Sequence, residues 1–193
     1  MNNENLLSKI SKMSEEELIR LAWNTSDVEI LNILAENENY EVRCAVTEYK
    51  NTPANILTML AQDKDYNVRC AVAYNRNTPA DVLAMLAQDE NWWVRYAVAR
   101  NKNTPIEFLT VLAKDKDRTV RFNVVQNENT PIELLAMLAK DEYYVVRMAV
   151  AKNENTPKEA LVMLSKDNNE WVSKRAKDAL KERKEKSKNS IER

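Results

Sequence analysis

Few side chains in this 193-residue chain could carry chemistry, and two absences narrow them further. The chain has no histidine, which removes Ser-His and Cys-His nucleophile pairs, histidine metal ligands and histidine acid–base catalysis. It also has no glycine, which removes phosphate-cradling loops of the Gly-rich kind. Carboxylates, lysines, tyrosines and two thiols, Cys44 and Cys70, remain. Two soft ligands without histidine or further cysteines do not complete a tetrahedral site, so neither a metal nor another cofactor is expected. A second grouping, Trp92 and Trp93 close to Asp89, sets aromatic rings beside a carboxylate.

The elements that position these residues are set by five prolines, at 53, 79, 105, 131 and 157. Each follows Asn-Thr, and their regular spacing defines a repeat array built by stacking. The units are 25–50, 51–76, 77–102, 103–128, 129–154 and 155–180, with an N-terminal helical cap over 1–24 and a charged helical extension or tail over 181–193. The common pattern is N-T-P-x-x-x-L-x-x-L-A-x-D-x-x-x-x-V-R-x-x-V-A-x-N-x. Asp89 belongs to its recurring Asp position, which explains that residue without catalysis; no catalytic residue is assigned and no enzyme is expected.

Within the unit 51–76, Thr52 reads as an N-cap and Pro53 as the first helical residue. Ile56, Leu57, Leu60 and Ala61 form the apolar stripe of a first helix, A, about ten residues long. Val68, Ala71 and Val72 form the stripe of a second helix, B, which is expected to stop at Asn75 in the left-handed conformation; Asn101, Asn127 and Asn153 recur at that position. Neither helix would be stable alone, so stacking must supply the burial. Ser14 with Glu17 fits a capping box in the N-terminal cap. Beyond Ser173, Lys174 and Arg175 the last helix B is expected to run on as a polar-faced cap, with Lys184 to Arg193 fraying into solvent.

Composition bounds the partners. Lysine and arginine total 29 against 30 acidic residues, which argues against a dedicated duplex-DNA binder. The ends differ: residues 1–50 carry 5 basic and 10 acidic groups, and 174–193 carry 9 basic and 4 acidic. Solvated caps explain this, and weak head-to-tail attraction between molecules is the other reading. No apolar run has membrane length and the N-terminus lacks a signal-peptide core, so a soluble, cytoplasmic protein is expected. Cys44 and Cys70 share one position in consecutive repeats, and helices about 8–10 Å apart are too distant for a disulfide. Free thiols fit a reducing compartment.

The units closely resemble the leucine-rich-repeat variant family over residues 25 to about 180. The resemblance implies an all-α, right-handed α-solenoid, here six two-helix repeats with helical caps, whose B helices line the concave side. The repeats run slightly longer than that family's usual unit, which leaves helix B free to be fully α-helical. The cysteine cluster of the family's iron–sulfur member is missing, so no cluster is carried over. A looser similarity is to HEAT-type repeats, in which an Asp and an Arg six residues on form a ladder. The corresponding pairs are Asp63 with Arg69, Asp89 with Arg95, Asp115 with Arg121 and Asp141 with Arg147; the first repeat has Asn37 with Arg43 and the last Asp167 with Ser173. HEAT-like folds also include DNA glycosylases that use Trp and Asp, to which the Trp92-Trp93 pair near Asp89 compares.

A helical wheel of helix B turns one triplet per repeat outward. The columns are Tyr40, Tyr66, Trp92, Arg118 and Tyr144; Cys44, Cys70, Tyr96, Phe122 and Met148; and Glu48, Tyr74, Arg100, Gln126 and Lys152. Trp93 and Trp171, one position away, would join the rim. Such a strip has the composition of a protein-binding surface, unless its side chains pack on one another and simply close an inner wall. The reading is a monomeric scaffold taking a protein or peptide in a groove about 40–50 Å long over five repeats. The alternative is single-stranded nucleic acid stacked on the rings beside Arg100, Arg118 and Lys152.

Overall fold

The computed structural model describes residues 3–49 and 52–191, and the 50/51 repeat boundary lies outside the described residues. Those residues form fourteen helices and no strand, divided between two compact units, 1–105 and 106–193. The first unit holds α1 (Asn3–Ile10), α2 (Glu15–Asn24), α3 (Val28–Ala35), α4 (Tyr40–Glu48), α5 (Ala54–Leu60), α6 (Tyr66–Tyr74), α7 (Ala80–Leu86) and α8 (Trp92–Arg100). The second holds α9 (Ile106–Leu112), α10 (Arg118–Gln126), α11 (Ile132–Leu138), α12 (Tyr144–Lys152), α13 (Lys158–Leu164) and α14 (Glu170–Ile191).

Helices B stack on one another in each unit, α4 on α6 on α8 in the first, with α2 of the cap against α4, and α10 on α12 on α14 in the second. The core is the seam between the two helices of each repeat. Leu57 and Leu60 of α5 and Val68 and Val72 of α6 are fully buried, as are their counterparts Leu135, Leu138, Val146 and Val150. Helix A is shorter than its apolar stripe suggests: α5, α7, α9, α11 and α13 span 7 residues each, because Ala61 and its equivalents end the helix in a tight turn. Helix B is a full α-helix of 9 residues in α4, α6, α8, α10 and α12.

The Asn-Thr-Pro junction works differently from the sequence expectation. Thr52 is not an N-cap: its hydroxyl is buried and donates backward, to the Val46 carbonyl at 2.6 Å. Thr78 does the same to Val72 at 2.5 Å and Thr104 to Val98 at 2.6 Å; in the second unit Thr130 bonds Val124 and Thr156 bonds Val150. Each threonine thus closes the preceding helix B. Pro53, Pro79, Pro131 and Pro157 take the cap position, with extended ψ, and the helix begins one residue later.

The asparagines that end helix B are extended, not left-handed, and no described residue has positive φ. Their amides explain why. Asn75 Nδ2 donates to the Thr47 carbonyl of the preceding repeat at 2.6 Å while its Oδ1 accepts from Asn77 N at 2.7 Å. Asn101 reaches back to Ala73 and Asn153 to Val125 in the same way. An extended backbone lets one side chain close its own turn and staple the neighbouring repeat, which a left-handed stop would not.

The ends are closed by substitution. Ser14 and Glu17 form the capping box at the start of α2. α14 does not fray at Lys184 but continues through Ile191, and Arg183 within it donates to the Thr156 and Glu154 carbonyls, both at 2.7 Å. Glu192 and Arg193 lie outside the described residues.

Candidate functional site

The Asp and Arg positions of the repeat are joined, but not in the register read from the sequence. Arg69 Nη1 takes the backbone carbonyl of Asp63, 2.8 Å away, and not its carboxylate. The Asp63 carboxylate belongs to Arg43 of the preceding repeat, Nε to Oδ2 at 2.6 Å and Nη2 to Oδ1 at 2.9 Å. Arg69 in turn grips Asp89, Arg121 grips Asp141 and Arg147 grips Asp167. Six residues bring the arginine over its own turn, where one edge of the fork satisfies carbonyls of the connection between helices A and B. The other edge is then left for the next repeat's carboxylate. Arg95 likewise bonds the Asp89 and Glu90 carbonyls, at 2.7 and 3.1 Å. Asp115 supplies its carbonyl to Arg121.

The pairs are deeply placed; the Arg121 and Asp141 side chains are 8% and 5% exposed. Burial raises the cost of ionising Asp63, but the Arg43 fork and the Asp65 amide outweigh it and hold the carboxyl below its ordinary range. Arg147 does the same to Asp167. The outermost members break the pattern: Asn37 stands where the acid would be, and Ser173 stands where the arginine would be. Ser173 instead donates to the Ser165 carbonyl at 2.8 Å.

None of the fifteen outward positions of helix B is buried. In the first unit Tyr40, Tyr66, Glu48, Tyr74 and Arg100 are exposed, and Cys44, Cys70, Trp92 and Tyr96 are half-buried. In the second Arg118, Gln126, Tyr144 and Lys152 are exposed, and Phe122 and Met148 are half-buried. The structure joins part of this set into a cluster on α6 and α8. Trp92 and Trp93 stack at 4.3 Å between centroids, and Tyr96 meets Trp93 edge-on at 5.4 Å and Trp92 at 6.5 Å. Tyr74, from the neighbouring repeat, meets Tyr96 edge-on at 6.4 Å, and Arg100 donates to the Tyr96 hydroxyl at 3.3 Å. Trp93 and Tyr74 nonetheless remain 45% exposed.

Beside the cluster, Cys44, Glu48, Cys70, Tyr74 and Arg76 line a cavity of about 530 Å³ between α4 and α6. Burial, with Asp65 and Glu48 nearby, pushes the Cys44 thiol up to about 12. Burial likewise pushes Cys70 up to about 11, and its Sγ donates to the Trp93 carbonyl at 3.6 Å. Both cysteines are free thiols, and neither is poised as a nucleophile. Among the described residues no group of His, Cys, Asp and Glu could hold a metal ion.

Several exposed residues escaped the sequence reading. Trp23 of α2, half exposed, donates its indole N–H to Glu48 Oε2 at 3.0 Å. It lies in the cap, where no repeat fixes the phase. Tyr143 lies beneath the guanidinium of Arg118, 5.1 Å from its centroid, and of Arg121, at 5.5 Å. It occupies the N-cap position that Asn39, Asp65, Asn91, Asp117 and Asn169 fill with a side-chain acceptor, and it forgoes a cap worth about 1 kcal/mol. That break in the pattern was readable from the sequence. A second exposed row runs on the A helices, with Met59 and Met85 in the first unit and Val111 and Met163 in the second.

Helix pairs stacked at a fixed period and stapled by recurring asparagine and arginine bonds define an α-helical repeat protein. Residues 66–91 match the leucine-rich repeat variant family model, and the chain resembles that family. It is similar to a solved leucine-rich repeat variant described as having a novel repetitive structural motif, at 28% identity and a TM-score of 0.70, over 90% of this chain and 70% of that one. A further likeness, to YibA of E. coli, has 21% identity and a TM-score of 0.58 over 99% and 78% of the two chains and concerns the fold alone. No curated protein matches the sequence. No described helix is long and apolar enough to cross a membrane.

Proposed function

We propose that this chain is a non-catalytic scaffold that binds a protein or peptide on the outward face of its B helices. The observation that carries the reading is the α6–α8 cluster, in which Trp93 and Tyr74 keep 45% of their surface exposed although each packs on another ring. Exposed Trp and Tyr fixed by their neighbours offer large contact area at little entropic cost, the usual composition of interface centres. Tyr40, Tyr66 and Arg100 extend the same face in the first unit, and Arg118, Phe122, Tyr144, Met148 and Lys152 form its counterpart in the second.

Catalysis by an acid beside the tryptophans is disfavoured by Asp89 itself. Both of its oxygens are held by Arg69, at 2.6 and 3.0 Å, inside the ladder. Nucleic acid is disfavoured by the balanced charge and by Arg118 already lying over Tyr143. The same reading takes the chain as a soluble, cytoplasmic monomer.

The test is selection of displayed peptides on the intact protein, followed by titration of those selected against Trp93→Ala. Loss of binding with an unchanged circular dichroism spectrum is expected. Peptides that bind wild type and variant equally would place the interaction elsewhere. A steep negative salt dependence of binding to an oligonucleotide would favour the nucleic-acid reading.

A further inference from the structure

The A helices of the second unit carry three rows of side chains that neither the core nor the B-helix face uses. On α9, Val111 stands four residues after Glu107 and Lys114 three residues later, so all three share one side of the helix. Glu133, Met137 and Lys140 repeat the arrangement from α11, and Glu159, Met163 and Lys166 from α13. The six charged residues are exposed, as are Val111 and Met163, and Met137 is half-buried. Each A helix packs on the stack of α10, α12 and α14, so like residues line up across α9, α11 and α13 as an acidic, an apolar and a basic row.

The helix dipole accounts for part of this pattern, since a glutamate in the first turn and a lysine at the end each suit it. It does not call for an exposed valine or methionine between them. Nor does the fold neutralise the charges. Among the described residues none of the six takes part in an ion pair or a side-chain hydrogen bond. Exposed Ile106, Ile132 and Val162 widen the apolar row. In the first unit Met59 and Met85 hold the apolar position, but Gln62 and Gln88 stand where the second unit has lysines, so stacking does not require a base there.

The spacing of the rows selects the occupant. Seven residues at about 1.5 Å each set the acidic and basic rows about 10 Å apart, with the apolar row between them. An α-helix is about 10–12 Å across and covers all three, whereas an extended chain, about 5 Å wide, reaches the apolar row and leaves a charged one uncovered. Stacked helices follow one another at about 8–10 Å, and seven residues of a helix advance about 10.5 Å, so one apolar residue per heptad meets each A helix. Flanks of a single sign would set like charges against one row. The acidic row likewise opposes nucleic acid and anionic membranes.

We propose that the A-helix face of the second unit docks an amphipathic helix of a protein partner, its apolar stripe on Val111, Met137 and Met163, an acidic flank along the lysine row and a basic flank along the glutamate row. This surface is separate from the B-helix face, and the two can be tested apart.

The test titrates the full chain with a dye-labelled helical peptide of about three heptads, with glutamates on one flank of its apolar stripe and lysines on the other, read by fluorescence anisotropy. Versions with lysines on both flanks, with glutamates on both, and with a central proline that breaks the helix serve as comparisons. The mixed-flank peptide should bind about tenfold or more tighter than each of them. Met163→Glu should weaken it by about tenfold or more, and Trp93→Ala should leave it unchanged. A variant with Lys114→Glu, Lys140→Glu and Lys166→Glu should come to prefer the peptide with lysines on both flanks. Equal binding of mixed and single-sign peptides, equal binding of the proline version, or no binding of any peptide would overturn the inference. Binding lost in Trp93→Ala but kept in Met163→Glu would also overturn it and would place the helix on the B-helix face.

Discussion

At the scale of single residues, each recurring polar side chain satisfies two parts of the chain at once, and the cost of losing it follows from what it leaves behind. Arg121 holds the Asp141 carboxylate and the Asp115 and Lys116 carbonyls. Arg121→Ala strands an almost buried acid, and we expect a loss of about 3–5 kcal/mol in urea unfolding. A loss under about 1 kcal/mol would mean that the ladder behaves as a surface ion pair. The two thiols give a pH signature. Their folded values, about 12 for Cys44 and about 11 for Cys70, lie above that of an unfolded thiol, so the folded chain keeps its protons while the unfolded chain gives them up. Their contribution is complete below the unfolded thiol's pKa and declines as pH rises above it through the folded values. A double Cys→Ser variant should therefore lose less stability than wild type between neutral and strongly alkaline pH, as followed by melting temperature. Alkylation of the native protein at neutral pH should lag far behind that of a free thiol.

Among the elements, the periodic spacing of leucine and valine made the helix pairs legible, and the helical wheel picked out positions of helix B that are not buried. The connections were not legible. Asn-Thr-Pro has the composition of a helix start, and only the neighbouring repeat shows that its threonine serves the helix before it and that Asn75 serves the repeat before that. The ladder register was missed for the same reason. An Asp and an Arg six residues apart suggest a pair within one unit, whereas the partner 20 residues on becomes adjacent only through stacking. Asn75→Gly distinguishes the two accounts of the junction. A left-handed stop would be stabilised by glycine, but the extended asparagine loses its bonds to Thr47 and Asn77. Destabilisation of about 2 kcal/mol is expected in thermal or urea unfolding.

For the molecule as a whole, the repeats supply stacking and the departures from the repeat supply everything particular to this chain. Asn37 and Ser173 are such departures, standing at the first and last ladder positions in place of the acid and the arginine. Within the first unit, Trp92, Trp93, Tyr96 and Tyr74 occupy positions the pattern leaves free. The sequence placed them on one face, but their mutual ring contacts and the adjoining cavity depend on the distance between stacked helices. The central claim is that this cluster is a surface available to a partner and not a wall the fold requires. The most direct measurement compares the urea midpoint of a Trp93→Ala, Tyr74→Ala double variant with that of Leu83→Ala. Leu83 is fully buried and should cost about 2–5 kcal/mol. The account predicts a midpoint for the double variant close to wild type. A loss as large as that of Leu83→Ala would show that the rings belong to the core and would contradict the binding surface.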